Sequence, residues 1–224
     1  MNQIDTVLTR PSTRVLATNR VLRNTYALLS MTLLFSALTA GLSMTLELPY
    51  PGVVVTLVGY FGLLYLVNRF RNSAMGLVFL FALTGFMGAT LGPILNAYIG
   101  HYANGTELVL MALGGTGITF LGLSAYALAS RKDFSFLGGM LTAGILVAFL
   151  ASLAAIFIPG LTGLSLAASA MFVILMAGLI LYQTSEIIHG GETNYIMATL
   201  SLYVAIFNLF TSLLQLLGIL GSDD

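Results

Sequence analysis

Cysteine is absent from the 224 residues, which excludes a disulfide framework, a thiol nucleophile and any Cys-based metal site. Charge is nearly as scarce. Asp, Glu, Lys and Arg make up 7% of the chain, where an ordinary soluble domain carries roughly 25%. Eight basic residues cancel eight acidic ones, so there is no basic excess to attract nucleic acid, and no nucleic-acid-binding motif appears. What the chain has instead is apolar surface, at 58% of residues. Too few polar residues remain for a soluble fold to cover it. The length suits one compact unit. The polar N-terminal stretch and the long first apolar segment do not resemble a cleavable signal.

Crossing a hydrocarbon core takes about 20 apolar residues in a helix. Windows free of Asp, Glu, Lys and Arg predict seven spans, near 24–46, 51–68, 73–98, 107–130, 135–158, 164–188 and 195–220. The fifth and sixth share one uncharged stretch, divided at Pro159-Gly160. The short alternating periods of a β-barrel are missing, so an all-α bundle is the expected fold class. Residues 1–23, rich in Thr, Ser, Asn and Arg, are expected to form a flexible tail.

The cations set the orientation. Arg10, Arg14, Arg20 and Arg23 precede the first span, Arg69 and Arg71 follow the second, and Arg131 and Lys132 follow the fourth. With the N-terminus in the cytosol all eight basic residues lie inside, and the outer ends carry only Glu47, Glu107, Asp223 and Asp224. The four arginines of the tail are also a candidate docking segment for a cytosolic partner.

No charged residue lies mid-span, which argues against a carboxylate proton relay and against a voltage sensor. Uncharged polar groups are nonetheless arranged. Ser201, Ala205, Asn208, Ser212 and Gln215 fall at i, i+4, i+7, i+11 and i+14, one stripe on the last helix. That stripe is either packing glue or the wall of a polar path. Gly85, Gly88 and Gly92 share a face of the third span, where Pro93 is expected to kink the helix. Gln183, Glu186 and His189 end the sixth span before a Gly190-Gly191 break. One Glu-x-x-His pair is short of a di-iron set, and no His-Glu-x-x-His or Gly-x-Ser-x-Gly is present. No catalytic group, metal or cofactor is therefore expected, and the chain reads as a non-enzyme.

Five strings taken together, VLRNTYALLS at 21–30, LGPILN at 91–96, RKDFSFLGGM at 131–140, EIIHGGETNYI at 186–196 and SLYVAIFNLF at 201–210, resemble the Bax inhibitor-1 family, most closely its bacterial branch. The resemblance covers about residues 20–220. It implies a seven-helix bundle with the last helix near the centre, in a bacterial inner membrane. It also implies binding to the membrane-anchored AAA protease FtsH, as modulator and as possible substrate. Other members of the family are pH-sensitive calcium leak channels with a carboxylate pair between the sixth and seventh helices. Those positions match Gln183 and Ala205 here, and neither can titrate. The alternative implied is thus a cation (calcium) leak channel or transporter that lacks its acidic pH gate.

Overall fold

The computed structural model describes residues 5–158, 160 and 162–221. Seven helices follow one another: α1 (Asp5–Thr45), α2 (Val53–Arg69), α3 (Ala74–His101), α4 (Gly105–Ser130), α5 (Leu137–Phe157), α6 (Thr162–His189) and α7 (Tyr195–Leu220). No strand occurs among the described residues.

Six helices are long and apolar enough to cross a membrane, and α2 is the shorter seventh, at 17 residues. At 1.5 Å per residue α2 reaches roughly 25 Å, against about 30 Å of hydrocarbon. Its start is fixed by sequence. Pro49 and Pro51 have no N–H for a helical ladder, and Gly52 adopts φ 89°, so the helix begins only at Val53.

Residues 5–23, expected as an irregular tail, are helical in their described backbone, because α1 starts at Asp5. Extending a helix already formed fixes one residue per new hydrogen bond, which is far cheaper than nucleation. The side chains of Arg10 and Arg14 lie outside the described residues, as does Pro159.

The bundle is built around two helix pairs. α3 packs along α1, and α7 packs on α6 while also touching α1, α3 and α4. Half of the apolar window of α7 is buried, against 11% for α5. Leu80, Leu83, Ile180, Leu202, Tyr203 and Leu209 fill the centre. α2 and α5 are peripheral: α2 packs mainly on α3, and α5 mainly on α6. The outer surface is as apolar as the core, with Leu34, Val58, Ile118 and Ile174 among the most exposed side chains. Large apolar groups left facing outward all round the bundle need hydrocarbon, not water, as their solvent.

The close fit of α3 on α1 follows from its glycines. A Cβ on Gly88 would run into the Ser36 carbonyl and the Thr39 hydroxyl, and one on Gly92 would meet the Ser43 side chain at 2.6 Å. α3 continues as helix through Pro93. Proline cannot donate to the carbonyl four residues back, at Ala89. Ser43 Oγ on α1 donates to that oxygen at 2.7 Å instead. Asn96 Nδ2 donates to Met44 O at 3.0 Å, serving a carbonyl at the end of α1. Pro93 therefore tells as an attachment point between two helices.

Candidate functional site

The polar groups gather at three levels along α7. The first is the end where α6 stops and α7 begins. Gly190, at φ 77°, lets the chain turn there, and Gly191 N donates back to Glu186 O at 2.8 Å. A Cβ on Gly191 would meet the Glu186 carboxylate, the movable end of a flexible side chain. His189 reaches across to the end of α4. Its Nδ1 lies 2.9 Å from Ser185 O, and its Nε2 lies 3.1 Å from Arg131 O at the end of α4. Ser185 Oγ accepts from Phe134 N at 3.0 Å and donates to Lys132 O at 3.3 Å. Ser185 and His189 thus bind the α4–α5 turn to α6. Within that turn Asp133 Oδ1 accepts from Ser135 N at 2.9 Å. Its carboxyl is held below its usual value by that backbone bond first, then by the Ser135 side chain, with His189 adding to the effect.

Asn194 is the matching fastener on α7. Its Oδ1 accepts from Ile196 N and Met197 N at 3.0 and 3.2 Å, capping the helix. Its Nδ2 donates to Arg71 O and Asn72 Oδ1, both at 2.9 Å. Arg20, Arg23, Arg69, Arg71, Arg131 and Lys132 are all exposed.

The second level is mid-depth. Tyr203 is fully buried, its hydroxyl 2.7 Å from Ser36 Oγ and donating to Thr84 O at 3.2 Å. One side chain on α7 therefore holds both α1 and α3. Nearer the α6–α7 turn, Thr184 Oγ1 lies 3.4 Å from Tyr26 OH and 3.5 Å from Ser124 Oγ. Gln183 is buried on α6, and Ala205 is buried completely on α7.

The third level is the far half of α7. Gln215 accepts from Ser169 Oγ at 2.7 Å and donates to Ser165 Oγ at 2.6 Å, both on α6. Asn208 Nδ2 donates to Val204 O one turn back, at 2.8 Å. Ser212 is buried, while Ser201 and Asn208 are half-buried. Within the stripe Gln215 reaches α6 while Asn208 bonds back to its own helix, and buried Leu202, Ile206 and Leu209 lie beside it on α7. Sequence reading missed Tyr203, Ser36, Thr184 and Asn194. A serine or threonine in an apolar run gives no sign of its partner on another helix.

Set beside known proteins, residues 18–222 match a family described as "Inhibitor of apoptosis-promoting Bax1". A Pseudomonas aeruginosa protein recorded as uncharacterized is 58% identical over 204 residues, which is 91% of each chain. The Escherichia coli protein named "Modulator of FtsH protease YccA" is 53% identical over 211 residues, covering 94% of this chain and 95% of the relative. A Vibrio cholerae protein named "Uncharacterized membrane protein" is 47% identical over 212 residues, 94% of each.

Proposed function

Because this chain belongs to the Bax inhibitor-1 family, we propose that it is a multi-pass protein of a bacterial inner membrane that binds and modulates an FtsH-type AAA protease. The observation that carries the reading is the 53% identity, over nearly the whole of both chains, to a relative named as a modulator of that protease. In this reading all seven helices are embedded, α7 is the central strut, and the N-terminus is cytosolic with the arginines of residues 10–23.

Two features support modulation by contact over chemistry. The polar groups along α7 are engaged in holding helices together: Tyr203 with Ser36 and Thr84, Gln215 with Ser165 and Ser169. The glycine contacts of α3 on α1 make a bundle that resists being pulled apart one helix at a time. A protease that grips the N-terminal segment and extracts slowly is occupied while it does so, and the chain is then both a poor substrate and a competitor. A cation-leak function has less support, because Gln183 and Ala205 offer an amide and a methyl where a pH gate needs two carboxylates.

The test is a detergent pull-down with FtsH, joined to a deletion of residues 1–20. The deletion is expected to insert normally and to escape turnover by the protease. Degradation of the deleted chain at the full-length rate would overturn the proposed role of that segment.

A further inference from the structure

His189 closes α6, and both of its ring nitrogens face carbonyl oxygens. Nδ1 lies 2.9 Å from Ser185 O, one turn back on α6, and Nε2 lies 3.1 Å from Arg131 O, just past the end of α4. A carbonyl only accepts, so each contact is a hydrogen bond only when its nitrogen carries a proton. A neutral imidazole has one N–H and would turn a lone pair on one of the two oxygens. The Ser185 hydroxyl does not relieve this. Its Oγ lies 3.3 Å from Nδ1, but its single proton goes to Lys132 O while the oxygen accepts from Phe134 N.

The surroundings suit the charge that a second N–H brings. Both acceptors belong to the C-terminal ends of helices, α4 and α6, where the peptide dipoles attract a cation. The α4–α5 turn sets Asp133 against Arg131 and Lys132, α6 adds Glu186 one turn back and Tyr182 beyond it, and the α6–α7 turn adds Glu192. α5 and α7 bring no charged side chain. The ring helps to hold the Asp133 carboxyl below its usual value, which places the two groups within electrostatic reach. Arg131 itself sits at φ 50°, a left-handed conformation that a side chain adopts only at a cost, so its carbonyl is aimed at the ring by a backbone that needs holding. His189 is exposed and exchanges protons with water.

We propose that His189 is a proton-operated latch. As the imidazolium it ties the end of α4 to the end of α6. On losing either proton it is pushed off one of the two oxygens, and the α4–α5 turn, with its exposed Arg131 and Lys132, loosens. Its operation does not depend on which partner that turn meets.

The chain has no cysteine, so Phe136→Cys accepts a single nitroxide label at an exposed position just past the turn. In the full-length protein in detergent, the label is expected to be held near pH 5 and to become mobile as pH rises to about 8, the range in which imidazole discharges. With His189→Arg, which keeps two N–H donors and its charge throughout, the label should stay held at both ends of that range. With His189→Ala it should be mobile at both. Nitrogen NMR of the ring is the second measurement, needing no substitution at position 189, because His101→Gln leaves His189 as the only histidine. Two protonated ring nitrogens are expected wherever the label is held. A label indifferent to pH in the presence of His189, a His189→Arg protein that loosens as the parent does, or a singly protonated ring while the turn is still held would overturn the proposal.

Discussion

Pro93 has no N–H to offer Ala89, and inside a bilayer no water can take its place. The hydroxyl of Ser43 fills the need at 2.7 Å. Ser43→Ala is expected to cost about 1–3 kcal/mol, the usual effect of leaving a buried carbonyl unpaired. In a Pro93→Ala background the same change should cost distinctly less, because the backbone donor returns. Thermal unfolding of the four proteins in detergent measures that coupling. Asn194→Ala removes a helix cap, worth about 1 kcal/mol, together with two bonds to the α2–α3 turn. Asp133 behaves differently. Its carboxyl is held below the usual aspartate range, so its contribution is complete above that range and is lost as pH falls through the lowered value. Unfolding of the wild type and of Asp133→Asn should therefore differ near neutrality and converge in acid. The bonds of Ser43 to α3 and of Asn194 to the α2–α3 turn were not legible in the sequence, since each joins distant segments on the strength of one rotamer, whereas the Asp133–Ser135 bond is local to its own turn.

Among the elements, α1 and α3 form the tightest pair, and the reason could be read half in advance. Gly85, Gly88 and Gly92 share a face, which announced close packing on something. The surface they meet, Phe35, Ser36, Thr39 and Ser43 on α1, carries no periodic mark of its own. Gly88→Ala drives a methyl into the Ser36 carbonyl, which is backbone and cannot rotate away. A loss of roughly 1–3 kcal/mol is expected, as for other overpacked contacts, and it should appear as earlier unfolding in detergent. Gly114→Ala is the control, for no atom lies within 4 Å of that position and stability should hold or rise slightly. The shortness of α2 was foreshadowed by Pro49, Pro51 and Gly52, yet uncharged windows measure apolar length and not where a helix can start. The helical course of residues 5–23 was hidden for the opposite reason, because composition reports local preference and α1 extends from a helix already formed.

At the scale of the whole molecule, the sequence disclosed what the solvent selects: uncharged stretches, cations at alternate ends, and no ionised group between them. That the last helix lies near the centre came only from the family resemblance and not from hydropathy. α7 is less apolar than α5 and α6, and its burial comes from packing against α1, α3, α4 and α6 at once. A bundle so joined, with Tyr203 and Gln215 holding α7 to its neighbours, suits a protein that acts by engaging a partner. The most direct test reconstitutes FtsH with a labelled membrane substrate in proteoliposomes and adds this protein in rising amounts. The account predicts that substrate degradation slows as the protein is added and that the two co-purify. An unchanged degradation rate with no co-purification would contradict it.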